Sequence, residues 1–356
     1  MLAIGLDVGT TGVKAIIAGM DGAVAGKGFH EYDVICRAPG LAEQDSALVW
    51  RRAKEVIGNA VAGCKNKKDI KALSLSVQGD AVIPVDRNLK PLYNALLGMD
   101  YRTEEESRFL EEKFGARYLF EKTGMRPHPM NSAAKILYFT RKTPRVAEKT
   151  WKYMTYADYF LSLLGADEPV IDYTMASRTM FFSLDEKKWM DEILDVMGLD
   201  RERLSRPEVS GTGAGFLRGE LLEEWGLQGP VTLVTGGHDQ TCAALGAGVI
   251  RENIAVDSHG TAEVIGAAFN GIHTGDGMFK SFYPCYCHAK KDMYFTFSLN
   301  HTGGILLKWY RDQFCADETR EAAASGESAY QIMERKCPKG PSPVFVLPHF
   351  NGSGTP

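Results

Sequence analysis

Two short segments far apart in the chain share one plan, and that repetition restricts the fold more than any other feature. Ile4-Gly5-Leu6-Asp7-Val8-Gly9-Thr10-Thr11-Gly12-Val13-Lys14-Ala15-Ile16-Ile17 is an apolar run closed by an aspartate, then a Gly/Thr turn, then a second apolar run. Val256-Asp257-Ser258-His259-Gly260-Thr261-Ala262-Glu263-Val264-Ile265 follows the same order. Apolar, β-branched runs on either side of a short glycine-containing connection predict a β-hairpin in each place. A turn made of glycines and threonines leaves N–H groups and hydroxyls uncovered, a concave donor set that suits an anion and phosphate above all. Asp7, at the strand end beside the turn, is placed to hold Mg²⁺ directly or through water. An ordinary hairpin has the same composition, so the first copy alone leaves both readings open. The second copy favours two related domains facing each other across a nucleotide.

Length and charge set the outer limits. A chain of 356 residues, 44% hydrophobic and 24% charged, can bury the cores of two domains. A formal net charge of -4 gives no electrostatic footprint for nucleic acid or an anionic membrane. No apolar run reaches the ~20 residues of a membrane-spanning helix. The first residues enter a strand at once, which leaves no room for a signal peptide. Seven cysteines, an odd number without framework spacing, fit reduced thiols and a cytoplasmic location. Cys285-Tyr286-Cys287 could open a metal site, but no second pair with ligand spacing follows, and structural cysteines are the better reading.

Between the hairpins the pattern predicts a mixed sheet flanked by helices. A third strand over 23–34 returns after the Asp21-Gly22 turn, and Ser46 caps an amphipathic helix with Leu48, Val49, Ala53, Val56, Ile57, Ala60 and Val61 at helical spacing. A strand over 70–77 delivers Gln78-Gly79-Asp80 to its end, and a further strand runs over 81–85. From Asp100 the pattern turns helical, over 104–114, 132–141, 157–164, 186–197 and 219–225. A buried strand over 231–235 then ends in Gly236-Gly237-His238-Asp239, with a small-residue helix over 240–248. In the second copy, strands are expected near 253–257, 262–268, 279–287 and 293–298, and Thr302-Gly303-Gly304 opens a helix over 305–314.

Asp239 is the leading catalytic candidate. It ends a buried strand behind two glycines that allow a substrate to approach closely. Plain capping of the following helix is the competing role, and the two are compatible.

With these stretches in view, the chain resembles the FGGY carbohydrate kinases, within the wider group of actin-like and Hsp70-like ATPases. The matching segments are residues 5–11, Gly40 to Asp45, Asp100-Tyr101-Arg102-Thr103, Asn131 to Leu137, Gly236 to Gln240, Gly260-Thr261, Thr302-Gly303-Gly304 and Leu347-Pro348, in the family's order. The resemblance implies an α/β, actin-like (ribonuclease H-like) ATPase fold with two related domains around a cleft, at about 1–247 and 248–356. It implies ATP-dependent phosphorylation of a sugar hydroxyl, that of a ketose such as a pentulose or hexulose or of a polyol, with Asp239 as general base and Mg²⁺ at Asp7. The nucleotide set it implies is Gly9, Thr10, Thr11, Lys14, Gly260, Thr261, Gly303 and Gly304. The substrate set is Gln78, Gly79, Asp80, Asp100, Arg102 and Gln240. A small sugar or polyol and ATP are the expected partners, with a homodimer allowed and neither nucleic acid nor membrane.

Three departures accompany the resemblance. Many relatives carry Trp-Asn-Asp-x-Arg where this chain has Gly98-Met99-Asp100-Tyr101-Arg102, which removes an aromatic wall and widens the sugar pocket. Tyr138 stands where a tryptophan usually follows Lys135. Family members also run on well past the Leu-Pro segment, so a fragment or a natural truncation with an incomplete second domain is expected, and a catalytically inactive sugar-binding remnant is the alternative function. The acidic residues Asp80, Asp100 and Asp239 further predict rejection of charged or phosphorylated sugars.

Overall fold

A computed structural model of the chain describes residues 1–260, 262–300 and 302–347. Its first lobe is built on a six-stranded mixed sheet. Strands β1 (Leu2–Val8), β2 (Gly12–Gly19) and β3 (Val24–Glu31) form an antiparallel meander, and β4 (Ile70–Val77) runs parallel to β1 on its other side. Strands β5 (Gly213–Phe216) and β6 (Thr232–His238) complete the order β5-β6-β4-β1-β2-β3, with β6 parallel to β4.

Alternation along the strands fixes which face is buried. Ile4, Leu6 and Val8 of β1 and Val13, Ala15 and Ile17 of β2 are buried. They join one core with Val49, Ala53, Val56, Ile57 and Ala60 of helix α1 (Ser46–Gly63). A period of two on the strands and of 3.6 on the helix brings the two apolar stripes together. Asp7 and Lys14 fall on the opposite face, directly across the β1–β2 ladder from each other. Helices Glu104–Phe114, Ser132–Lys142 and Tyr156–Leu164 extend the first lobe.

Helix α2 (Asp239–Gly246) leaves β6 without a break, and the second lobe follows it. There β7 (Ala255–His259), β8 (Glu263–Asn270) and β10 (Met293–Asn300) are antiparallel neighbours, with the short β9 (Tyr286–Cys287) beside β10. Helix α3 (Gly304–Phe314) comes next. Both predicted hairpins are present, β1–β2 and β7–β8. No helix among the described residues is long and apolar enough to cross a membrane.

Four local expectations change. The N-cap of α1 is Asp45, whose Oδ1 accepts the N–H groups of Ala47 and Leu48 at 3.0 Å each; Ser46 is the first helical residue. The strand expected over 81–85 is confined to Ile83–Val85 and pairs with Lys152–Met154 outside the main sheet. The helix expected from 186 starts only at Asp191, because Lys187 is at φ 55° in a turn that Ser183 caps through the Glu186 N–H. The strand expected over 279–287 shrinks to Tyr286–Cys287. A short helix, Asp276–Lys280, takes its start, Phe282 turns the chain at φ 60°, and Pro284 cannot donate to a ladder.

Candidate active site

The first turn is tied down by its own backbone and by neighbours from three elements. The Gly9 N–H donates to the Gly12 carbonyl at 2.9 Å, and the Tyr32 hydroxyl donates to the Gly9 and Gly12 carbonyls at 2.7 and 3.0 Å. Thr10 Oγ1 donates to Gln78 Oε1 at 3.2 Å, and Gln78 Nε2 reaches Gln44 Oε1 at 2.8 Å and the Gly9 carbonyl at 3.2 Å. The Gln44 amide donates to the Thr10 carbonyl. Gln78, expected as a substrate contact, therefore braces the turn while still lining the adjacent cavity. Thr11 is exposed at the turn, and its carbonyl accepts the Tyr32 N–H at 3.1 Å.

Asp7 Oδ1 accepts the Ser76 hydroxyl of β4 at 2.8 Å, which fixes the carboxylate at the head of this turn. Lys14 is exposed, its Nζ 5.8 Å from the centroid of the Phe29 ring. The second turn closes by a bond from the Gly260 N–H to the Ala262 carbonyl at 2.9 Å, and the Gly304 N–H donates to the Gly260 carbonyl at 2.7 Å. Helix α3 thus starts directly on the hairpin. A Cβ on Gly303 would come within 2.6 Å of the Ala262 carbonyl carbon, so only glycine permits this approach. Thr261 lies outside the described residues, as does Pro348 of the Leu347-Pro348 segment.

Asp239 occupies the first position of α2, where β6 ends. Its delivery depends on Gly236, whose place a Cβ could not share, being 1.6 Å from the Leu75 carbonyl oxygen of β4. Asp239 Oδ1 accepts the Gln240 N–H at 2.6 Å and lies 3.2 Å from His238 Nε2. Desolvation in the cleft pushes the Asp239 carboxyl up to about 6; the Gln240 N–H opposes that rise and the charge of Asp7 adds to it. His238 is buried, and burial together with the nearby Arg178 holds its imidazole neutral. The Tyr286 hydroxyl sits 3.3 Å from His238 Nδ1. With that nitrogen accepting from Tyr286, the remaining proton is on Nε2 and points at Asp239. Sequence reading missed both His238 and Tyr286 in this role. The signal for His238 was its place beside the aspartate; Tyr286 offered none.

A cavity of about 220 Å³ opens in front of Asp239. Thr10, Gln78, Gly79, His238 and Gln240 line it from the first lobe, and Val264, Phe297 and Leu299 from the second. Gly79 packs against His238 and Arg178, which a Cβ would approach to 2.7 and 2.9 Å. Asp80 is turned away from the space expected for it. At φ 66° it accepts two hydrogen bonds from buried Arg178, Nε to Oδ1 at 3.1 Å and Nη2 to Oδ2 at 2.5 Å. Arg178 is the cavity-lining member of the pair, stacked 5.1 Å from the Tyr286 ring and 5.7 Å from that of Phe297.

Asp100 and Arg102 are not among the cavity-lining residues. Asp100 is fully buried, accepts the Ala42 N–H at 2.7 Å and pairs with Arg102, which also reaches Glu43 at 2.7 Å. They form an internal ion-pair network that holds the 40–45 and 98–103 segments together. The expectation that Asp80 and Asp100 repel anionic sugars is therefore corrected: buried Arg178 compensates the first charge and half-buried Arg102 the second.

The arrangement is two hairpin turns, one from each lobe, with a partly desolvated carboxylate at a strand end in the cavity that Thr10 and Val264 also line. Against protein families, residues 2–246 match the N-terminal domain of the FGGY family of carbohydrate kinases. The chain belongs to that family. Gluconokinase from Bacillus subtilis is 26% identical over 356 residues, covering 99% of this chain and 68% of that protein. Xylulose kinase from Lactococcus lactis is 28% identical over 313 residues, covering 87% of this chain and 61% of the relative. Among solved structures, ligand-bound xylulose kinase from Lactobacillus acidophilus superposes with a TM-score of 0.86 at 24% identity, over 99% of this chain and 69% of the other. The chain thus spans between about three fifths and seven tenths of the length of these FGGY relatives. The actin-like, two-lobed α/β architecture implied by the sequence is the one the FGGY structures share.

Proposed function

We propose that this chain carries the acceptor site and both phosphate turns of an ATP-dependent sugar or polyol kinase, with Asp239 as general base. The placement of Asp239 carries the reading. It is held at a strand end beside the cavity, with one oxygen fixed by Gln240 N–H and His238. In this reading residues 1–247 form the first domain and 248–356 belong to the second.

The chain's own residues supply positioning and proton handling. Gln240, Gln78 and Arg178 face the acceptor in the 220 Å³ cavity and orient the reactive hydroxyl. Asp239 accepts that proton as the oxygen attacks phosphorus, and a carboxyl near 6 is largely ionised at neutral pH yet basic enough to take it. The turns at Gly9–Gly12 and Gly260–Ala262, with Gly303 and Gly304 behind the second, hold the phosphates in line with the acceptor. Asp7 fits a divalent cation: it is a carboxylate anchored by Ser76 and close enough to Asp239 for the two negative charges to repel. When bound, Mg²⁺ neutralises charge on the transferred phosphoryl group.

Calorimetric titration with a non-hydrolysable ATP analogue, with and without Mg²⁺, tests the nucleotide half of this reading. The 356-residue chain should bind the analogue more tightly with Mg²⁺, and Asp7→Ala should remove most of that gain. Binding that is absent under both conditions would support the alternative of a sugar-binding chain without kinase activity.

A further inference from the structure

The cavity before Asp239 does not end at the size of a simple sugar. A second chamber of about 380 Å³ adjoins it, and Gly98, Met99, Arg178, Phe297 and Leu299 line both. Beyond that shared wall the chamber is largely apolar, with Phe120, Met125, Met130, Phe282 and Pro284 around it.

Three observations mark this space as built for an occupant. Gly98 is not demanded by the backbone: its φ is outside the left-handed region, and an added Cβ would meet only ordinary contacts, Asp80 Cβ and the Gly79 carbonyl at 3.6 Å. A side chain would therefore fit at position 98, and glycine leaves that room empty where the two spaces share a wall. Phe282 is held at φ 60°, a conformation that bulky residues avoid, and Arg126 stacks on its ring at 3.8 Å while donating to the Phe279 carbonyl at 2.6 Å. Met99, Tyr101 and Phe282 remain 51%, 50% and 55% exposed, so apolar surface at the chamber is left uncovered by the described residues.

We infer that the acceptor is a sugar or polyol carrying an apolar substituent, an alkyl or aryl group joined at the end remote from the reacting hydroxyl, which fills this chamber through the opening at Gly98. The inference rests on the kinase reading of the Asp239 cavity. It names the acceptor class: glycosides or ethers of a small polyhydroxylated unit. The polyhydroxylated end meets Gln240, Gln78 and Arg178, while the substituent lies against Phe282, Phe297 and Met130.

The test is calorimetric binding of matched pairs to the 356-residue chain: xylitol and D-fructose, each free and as its O-benzyl derivative, with benzyl alcohol alone as control. Burial of a ring-sized apolar group predicts about 10- to 100-fold tighter binding of the benzyl derivative. Ala116→Trp, which fills the chamber from its outer wall, and Gly98→Trp, which closes the passage, should each bring the ratio back towards one. Equal binding of the free and benzylated acceptors would overturn the inference, as would a ratio unmoved by both substitutions. Benzyl alcohol binding as tightly as the derivative would mean an independent site and would also overturn it. If the free acceptors bind and the benzylated ones do not, only the chamber assignment fails; if neither form binds, the acceptor-site reading falls with it.

Discussion

Asp239 is subject to two opposing influences, desolvation that favours its neutral form and an amide N–H that favours its charge, and the first prevails. The sign of the pH dependence follows. The base must be ionised to accept a proton, so turnover should fall about tenfold per pH unit below about 6 and level off above it, in a rate profile at saturating substrate. Tyr286→Phe removes the hydroxyl at His238 Nδ1 and frees the imidazole to change tautomer. Loss of one such bond, worth about 1 kcal/mol, should lower turnover about fivefold with little change in acceptor affinity. Arg178→Met strands Asp80 as a buried carboxylate, and breaking such a pair should lower the unfolding free energy by roughly 3–5 kcal/mol in a denaturant titration. At this scale Asp7 and Asp239 stood out as strand-end carboxylates, Asp7 because it closes an apolar run before a Gly/Thr turn and Asp239 because it ends a buried strand behind two glycines. Arg178 and Tyr286 did not, since their roles come from contacts to Asp80 and His238, 98 and 48 residues away in the chain.

Among the elements, the hairpins and the long amphipathic helix were readable because strict periodicity and apolar content agreed over many residues. The errors fell where a single residue decides the outcome. Asp45 and Ser46 are both good caps, and only the geometry shows that the Asp45 carboxylate reaches two N–H groups. Asp45→Ala should lower stability by about 1 kcal/mol, whereas Ser46→Ala should have a smaller effect, measurable by thermal melts of the two variants. In the 279–287 stretch the composition suits a strand, but Phe282 and Pro284 break the extended run. Asp80, Asp100 and Arg102 were expected in the cleft, and none of them lines the cavity. That they pair with Arg178 and with each other was not legible, because charge compensation depends on tertiary neighbours.

On the scale of the whole molecule, the lobes are unequal. The first is built around one extensive core, which Cys285 and Cys287 of the second also join, whereas a separate small cluster holds Ala244, Val249, Ala268, Tyr286, Met293 and Phe295. Helix α3 leaves Ile305 and Leu307 at 40% and 49% exposed, and Phe314 at 64%. Exposed apolar residues at this density promote association, so the 356-residue chain should sediment as a mixture of species or require a covering partner. Limited proteolysis should cut beyond about residue 247 and leave a first-lobe fragment that still binds a sugar; uniform resistance along the chain would contradict this. The account as a whole turns on the carboxylate at the strand end beside the cavity, and its most direct test is Asp239→Asn in the family's full-length context, followed by phosphoryl transfer and acceptor binding side by side. The predicted result is a loss of about 10²–10⁴ in transfer rate with acceptor affinity nearly unchanged, and a variant that turns over at close to the parent rate would contradict it.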